Sequence, residues 1–153
     1  MLNSSRVVTA RRGTRVILPT AAPWWTIARV ELIAELGGGP REVGRARRVM
    51  ARALRRWDIQ GDPAEVAVLL TSELVTNAIR HGAAPITVRA GVSRRGSLRI
   101  EVDDDVRGTV AARRARPTDD GGRGLYLVDS LADRWGYRST RSGKRVWFEL
   151  AAW

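Results

Sequence analysis

The feature that most constrains this chain is residues 69–82, which spell LLTSELVTNAIRHG. The segment places Glu73 and Asn77 four residues apart among mostly apolar neighbours. Four residues are about one turn of an α-helix, so both polar side chains project from one stripe of the helix surface. A carboxylate and a carboxamide on an apolar stripe cost free energy unless something satisfies them. The pair therefore forms hydrogen bonds within the core, lies on an ordinary polar helix face, or lines a pocket.

The composition limits the classes of protein to which the chain can belong. Its 153 residues, 44% of them hydrophobic, suit one domain with one core. The absence of Cys and the presence of one His argue against a disulfide framework and a zinc site. No apolar run approaches the ~20 residues of a membrane span, and the N-terminus lacks the long apolar core of a secretory signal. We therefore expect a cytoplasmic protein with no membrane segment.

The chain is strongly basic, with a formal net charge of +11. Of the 27 basic residues only Lys144 is a lysine, a skew that indicates a GC-rich genome more than a phosphate-binding surface. Residues 1–29 contain five arginines and no acid, so they form either a solvated tail or an arm for an acidic partner or nucleic acid. Because the chain lacks interleaved aromatic and basic residues and any DNA-binding motif, we do not expect nucleic acid to be its partner.

Periodicity along the rest of the chain predicts the secondary structure. Apolar residues at three- and four-residue steps predict two long helices, whereas alternating apolar residues predict strands and hairpins. In chain order we predict a strand at 30–36, a helix at 43–57, a helix at 63–81, a hairpin at 86–102, a loop at 107–121, a short helix at 125–131 and a hairpin at 134–150. Helices on one face of a mostly antiparallel sheet make an α+β fold, a two-layer α/β sandwich. We expect residues 30–153 to form this domain and residues 1–29 to be a flexible basic extension.

Two polar motifs lie downstream of the predicted helix that carries Glu73 and Asn77. Asp103, Asp104 and Asp105 come directly after a predicted strand, and adjacent carboxylates repel one another unless they are solvated or bound to a positive group. Gly122 and Gly124 lead into the short helix. A glycine turn that opens a helix leaves backbone N–H groups free at the positive end of the helix dipole, where phosphates bind. Each motif on its own is also common in ordinary turns.

Three pieces of sequence occur in an order that one nucleotide-binding superfamily shares. They are ELVTN from Glu73 to Asn77, IEVDD ending at Asp104, and GRGL from Gly122 to Leu125. Together they resemble the ATP-binding domain of gyrase, heat-shock chaperones, sensor histidine kinases and mismatch-repair ATPases. ELVTNAIRHG followed by GRGLYLVDSLADRWG is similar to the small stand-alone branch, whose best-known members are bacterial anti-sigma factor serine kinases. The resemblance covers residues 30–153 and implies the histidine-kinase-like ATPase fold, with ATP and Mg²⁺ as ligands.

The resemblance also implies roles for individual residues. Glu73 matches the acid thought to be the general base, and Asn77 matches the asparagine that coordinates Mg²⁺ on the phosphates. Asp104 matches the aspartate that accepts a hydrogen bond from the adenine amino group. The other predicted nucleotide-binding residues lie around the phosphates, the ribose and the loop after the aspartate: Arg80, His81, Gly108, Gly122, Arg123, Gly124 and Leu125.

The chain departs from the family pattern near the predicted adenine site. The family's D-x-G-x-G motif begins at this aspartate, whereas here Val106 occupies the first glycine position and only Gly108 is kept. Family members also tend to have threonine just before the aromatic stretch of the last strand, where this chain has Arg145. Arg145 therefore either faces solvent or crowds the adenine pocket.

The resemblance implies an ATP–Mg²⁺-binding regulator with protein serine/threonine kinase activity. Such a protein binds a sigma factor and phosphorylates a small antagonist protein, and its relatives commonly form homodimers. The departures leave a second hypothesis open, in which ATP only changes the surface offered to a partner and no phosphoryl group is transferred. Replacing Glu73 separates the two hypotheses, since a general base is needed for transfer and not for ATP binding.

Overall fold

A computed structural model describes residues 8–10, 14–16, 27–106 and 123–153. Across these residues the chain forms seven strands and three helices. In chain order they are β1 (Val8–Ala10), β2 (Thr14–Val16), β3 (Ile27–Leu36), α1 (Arg41–Arg56), α2 (Asp62–His81), β4 (Ile86–Ser93), β5 (Ser97–Asp104), α3 (Arg123–Leu131), β6 (Arg134–Ser139) and β7 (Lys144–Ala151). Every helix and strand predicted from the sequence is present, and its ends differ from the prediction by a few residues.

The seven strands form one sheet in the order β2-β1-β6-β7-β5-β4-β3. Each neighbouring pair in the described part of the sheet is antiparallel. Inward side chains of the central strands, such as Val88, Ile100 and Phe148, are fully buried in one apolar cluster with residues of the helices. The helices thus cover one face of an antiparallel sheet, and the predicted α+β two-layer sandwich is confirmed.

Helix α1 forms because its sequence separates apolar from basic residues at helical spacing. Ala46, Met50, Ala53 and Leu54 recur at three- and four-residue steps and are buried against the rest of the core. The arginines of the helix are exposed at positions 41, 45, 47, 48, 52, 55 and 56. The helix therefore begins and ends close to its predicted bounds and has a structural role under the sheet.

Helix α2 crosses the same face of the sheet and satisfies its own buried polar groups. The hydroxyls of Thr71 and Ser72 donate to the carbonyl oxygens of Ala67 and Val68, over 2.7 and 2.8 Å. Gly82 follows the last turn. Because both hydroxyls donate within the helix, neither needs a partner on another element.

The N-terminal part of the chain adds a feature that periodicity does not predict. Strand β1 pairs with β6, with Thr9 opposite Trp135, and β2 pairs with β1. Strands of three residues are too short to show an alternating pattern. The division into an extension of residues 1–29 and a domain of residues 30–153 stays a prediction, and the predicted loop at 107–121 lies outside the described residues. No helix in the described part of the chain is long and apolar enough to span a membrane.

Candidate functional site

The polar pair on α2 lies at the side of the helix that faces α3. Glu73 and Asn77 are both partly buried, whereas their neighbours Leu70 and Leu74 are fully buried in the core. Neither polar side chain forms a hydrogen bond or an ion pair with any other residue that the structure describes. Partly buried carboxylates and amides normally have partners, so an unpaired pair of this kind is available to a ligand.

The N-terminal turn of α3 packs directly on this pair through Gly124. A Cβ atom added to Gly124 would lie 2.9 Å from Oε2 of Glu73 and 3.3 Å from Nδ2 of Asn77. Any side chain at this position would therefore displace the carboxylate. The first backbone N–H groups of a helix lack partners within the helix and lie at the positive end of its dipole. An acid, an amide and a helix N-terminus thus meet at one place, a combination suited to phosphate groups and a cation.

Asp104 lies at the end of β5, close to the C-terminal end of α2. Its side chain is 3% exposed, and its Oδ1 accepts a hydrogen bond from the backbone N–H of Val106 over 3.0 Å. A Cβ atom on Gly82 would clash with the backbone carbonyl oxygen of Ala78 and would lie 2.8 Å from Oδ2, so only glycine fits between the end of the helix and the carboxylate. The backbone N–H of Asp105 donates to the carbonyl oxygen of Ala83 over 2.9 Å and holds the strand end in place. Asp104 is therefore a buried, positioned acceptor on the helix side of the sheet.

A known protein family matches most of this chain. The family model described as histidine kinase-like ATPase domain matches residues 38–150. This chain belongs to the histidine kinase-like ATPase family. The matched residues include all three helices, the strands β4 to β6 and β7 except for its last residue, and they include Glu73, Asn77, Asp104 and Gly124. The chain is therefore an ATP-binding domain of this family.

Two solved structures are similar to this histidine kinase-like ATPase. One is described as the histidine kinase domain from Erythrobacter litoralis EL346 blue-light activated histidine kinase, at 26% identity and a TM-score of 0.47, covering 72% of this chain and 61% of that chain. The other is Erythrobacter litoralis EL346 blue-light activated histidine kinase, at 25% identity and a TM-score of 0.46, covering 72% of this chain and 42% of that chain. The chain thus spans less than two thirds of either protein. Among proteins of curated function, none matches it.

The structure brings some of the predicted site residues of this domain together and leaves others apart. Glu73, Asn77 and Gly124 are in contact, and Asp104 lies beside Gly82, just past the last turn of the same helix. The roles of all the predicted residues as nucleotide ligands stay predictions. Of the rest, Arg80 and His81 are exposed in the last turn of α2, Leu125 is partly buried against the core, Arg123 begins α3, and Gly108 and Gly122 lie outside the described residues.

Arg145 does not crowd the place predicted for adenine. It pairs with Asp103 across β5 and β7, which places both side chains on the sheet face opposite Asp104. Its Nε and a terminal nitrogen donate to the two carboxylate oxygens of Asp103 over 2.6 and 2.7 Å, and it contacts Glu101 at 2.9 Å. The hydrogen bonds to Asp103 raise the pKa of Arg145, although burial acts in the opposite direction. The crowding alternative is therefore wrong, and the side chain is largely enclosed by its acidic partners.

Val106 also fits the strand end without strain. Its backbone N–H bonds to the Asp104 carboxylate, as in an Asx turn. Among the described residues, Asp58 is the only non-glycine residue with a positive φ. Val106 therefore takes an ordinary backbone conformation, and the missing glycine does not prevent the aspartate from being positioned.

The residue that lies beside Asp104 is Lys144, which the sequence did not single out as a site residue. It is directly opposite Asp104 in the β5–β7 register, and its Nζ lies 3.3 Å from Oδ2 of Asp104. On the helix side of the sheet, the residue opposite Asp104 is therefore Lys144, one residue before Arg145. The available signal was compositional, since Lys144 is the single lysine among 27 basic residues.

Proposed function

We propose that this domain binds ATP with Mg²⁺ and acts as an anti-sigma factor type protein serine/threonine kinase that phosphorylates an antagonist protein. The observation that carries the proposal is the contact of Gly124 with Glu73 and Asn77. Enzymes that transfer phosphoryl groups depend on positioning and on stabilising charge more than on covalent chemistry. An acid, an amide and a helix N-terminus in contact offer both.

Each of the site residues has a proposed task. Backbone N–H groups at the start of α3 would hold phosphate oxygens. The side-chain oxygen of Asn77 would be the one protein ligand of a Mg²⁺ ion whose other ligands are phosphates and water, which is how Mg²⁺ is commonly held in nucleotide sites. Asp104 would accept a hydrogen bond from the adenine amino group. Bound ATP supplies the phosphoryl group for transfer.

Glu73 is the proposed general base. Its carboxylate has no hydrogen-bond partner among the described residues, so its lone pairs are free to accept a proton. It would take the proton of a serine or threonine hydroxyl on the antagonist as that oxygen bonds to the terminal phosphorus, while ADP leaves. A positioned base of this kind contributes about 10²- to 10⁴-fold to a rate.

The proposed function is tested by separating binding from transfer. Calorimetry with Mg²⁺·ATP measures binding, and transfer of labelled phosphate to a purified candidate antagonist measures catalysis. Glu73→Gln should keep ATP binding within a few-fold and lower transfer at least about 100-fold, whereas Asn77→Ala should weaken binding of the Mg²⁺ complex. Glu65→Gln is the matched control, because Glu65 is an exposed glutamate in the first turn of the same helix.

The outcomes distinguish the kinase from its alternative. Saturable binding with no transfer by the wild-type protein to any candidate antagonist would support the non-catalytic regulator, in which ATP only gates protein binding. Equal transfer by wild-type protein and Glu73→Gln would contradict the role of Glu73. A sigma factor as second partner and a homodimer as the assembly rest on the family resemblance, and light scattering of the protein with and without a candidate sigma factor measures both.

A further inference from the structure

Lys144 and Asp104 form an enclosed ion pair at the predicted adenine end of the site. The two residues are direct neighbours in the β5–β7 register, and Nζ of Lys144 lies 3.3 Å from Oδ2 of Asp104. The lysine side chain is 17% exposed and the aspartate side chain 3%. Lys144 forms no other hydrogen bond or ion pair within the described part of the chain. The ammonium therefore has donors to spare in a place with little water.

We propose that Lys144 reads the base, donating a hydrogen bond to N1 of adenine while Asp104 accepts one from the adjacent amino group. The proposal rests on the proposed nucleotide site and assigns to that site a second base-contacting residue. It makes the Asp104–Lys144 pair a two-point recognition element in which one partner accepts and the other donates.

The hydrogen-bond capacity of the pair leaves room for a base. An ionised carboxylate has about four acceptor positions, and an ammonium group has three donors. Asp104 uses one position for the N–H of Val106, and its Oδ2 faces the ammonium group of Lys144 in an ion pair. Even if this ion pair takes one acceptor position and one donor, neither group is saturated. At least one acceptor and one donor therefore remain next to each other, which is the pattern that the amino group and N1 of adenine complement.

The neighbouring pair on the same two strands shows why a lysine serves here and an arginine does not. Arg145 engages both carboxylate oxygens of Asp103 with two parallel hydrogen bonds of 2.6 and 2.7 Å. A guanidinium at Lys144 would engage Asp104 in the same way and occupy the acceptor positions that the base needs. Of the 27 basic residues of the chain, 26 are arginines, and the one lysine stands at this position.

The pair should also select between purines. Guanine in the orientation that adenine takes would present its O6 acceptor to the Asp104 carboxylate and its N1–H donor to the Lys144 ammonium. Both contacts would be repulsive, because each would bring like partial charges together. The pair thus disfavours guanine nucleotides as well as favouring adenine nucleotides, and specificity gains from both effects.

The deciding experiment compares ADP with 1-deaza-ADP, in which N1 is replaced by CH. Calorimetry in Mg²⁺ buffer would measure both ligands with wild-type protein, Lys144→Met and Arg134→Met. A hydrogen bond to a charged group contributes enough that wild-type protein should bind 1-deaza-ADP about 10- to 100-fold more weakly than ADP. Lys144→Met should bind both analogues equally weakly. Arg134→Met should behave like wild type, because Arg134 is an exposed cation of the same hairpin with no ion pair in the described part of the chain.

A second measurement on wild-type protein does not depend on any variant folding. Because Lys144 is the only lysine, an amine-acylating reagent can modify one ε-amino group and the α-amino group of the chain. Mass spectrometry should show that saturating ADP slows acylation of Lys144 at least about tenfold relative to the α-amino group, and that 1-deaza-ADP at equal occupancy protects less, because protection follows the hydrogen bond.

The results test the role of Lys144 separately from the existence of the nucleotide site. Equal affinities of wild-type protein for ADP and 1-deaza-ADP, or acylation of Lys144 unaffected by saturating ADP, would overturn the role of Lys144 and leave the nucleotide site standing. No binding of ADP to folded wild-type protein would overturn the proposed function itself, and the role of Lys144 with it.

Discussion

At the scale of single residues, two glycines allow the candidate site to close. Gly124 lets the start of α3 rest on Glu73 and Asn77, and Gly82 lets the end of α2 approach the carboxylate of Asp104. Glycine normally costs helix stability relative to alanine, by about 0.5–1 kcal/mol. At Gly124 that cost accompanies a contact with the polar pair that no other residue would permit.

Gly124→Ala tests this contact. The added methyl group would meet Oε2 of Glu73, which is the far end of a flexible side chain, so the helix can keep its position while the carboxylate moves. We expect the free energy of unfolding in urea to change by less than about 1 kcal/mol. Phosphoryl transfer should fall about 100-fold, because a displacement of roughly 1 Å in a reacting group has effects of that size.

The control for that variant is Gly44→Ala. Gly44 lies on α1, where the nearest atom to an added Cβ is the tip of Arg48 at 3.4 Å. This variant should keep transfer at the wild-type level. A loss of transfer in Gly44→Ala as large as that in Gly124→Ala would mean that the effect is general and does not arise from contact with Glu73.

At the scale of elements, the strands β5 and β7 have a different environment on each face of the sheet. Their helix-side residues, including Ile100 and Phe148, are buried in the core. On the other face, Arg99 contacts Glu101 and Glu149 at 2.9 Å, and its guanidinium lies 3.9 Å from the ring centre of Trp147. Together with Arg145, Asp103 and Arg89 these side chains form an ionic network across three adjacent strands, β4, β5 and β7.

Arg145→Met tests whether this network and the nucleotide site are independent. The substitution leaves the partly buried Asp103 and Glu101 with fewer partners, so the free energy of unfolding should fall by about 1–3 kcal/mol. The Kd for ADP, measured by calorimetry, should stay within about twofold, because Arg145 lies on the opposite sheet face from Asp104. A large change in ADP affinity with unchanged stability would mean that Arg145 contacts the ligand after all.

The stabilisation that Arg145 gives to this network should not depend on pH near neutrality. Its pKa is raised in the folded protein, so the stabilisation is fully present below the unfolded-state pKa and is lost only as the pH rises through the folded value. Both values lie far above neutral pH. The Arg145→Met difference in unfolding free energy should therefore be the same at pH 6 and pH 9, as far as the arginine determines it.

At the scale of the whole molecule, the short N-terminal strands cover one edge of the sheet. β1 pairs with β6, and without it the backbone groups on that side of β6 would be open. Open edges invite pairing with other chains. The N-terminal strands therefore have a structural task that is separate from the site on α2 and α3.

Removing residues 1–26 tests this separation. We expect the shortened chain to bind ADP within about threefold of wild type, because Glu73, Asn77, Asp104 and Gly124 lie on elements that remain. It should self-associate more strongly in light scattering as the concentration rises, because β6 becomes an edge strand. A monomeric truncated protein at all concentrations, or one that no longer binds ADP, would contradict the division of roles.

Much of the fold follows from the sequence because burial imposes a local period. The steps between Ala46, Met50 and Ala53 indicate a helix without reference to any other element. The spacing of Glu73 and Asn77 likewise places both on one helix stripe. These signals are contained within a few turns, so distant parts of the chain do not alter them.

The parts of the fold and of the candidate site that the sequence does not predict depend on contacts between residues far apart in the chain. Whether Lys144 or Arg145 lies beside Asp104 is decided by the register of β5 against β7, strands separated by about forty residues of sequence, and a shift of one residue exchanges the two faces. No local pattern contains that register. The strands β1 and β2 are not predicted for a related reason, since three residues carry no period and the pairing of β1 with β6 is non-local.

The two neighbouring aspartates at the end of β5 have a consequence for how such a domain can change over generations. Asp103 belongs to the ionic network on one face, and Asp104 belongs to the enclosed site on the other. Consecutive residues of a strand face opposite sides of the sheet. Substitutions around Asp103 therefore alter the stability of the fold, and substitutions around Asp104 alter what the domain binds. Heat tolerance and ligand choice can therefore drift independently in descendants of this sequence, one face of the sheet at a time.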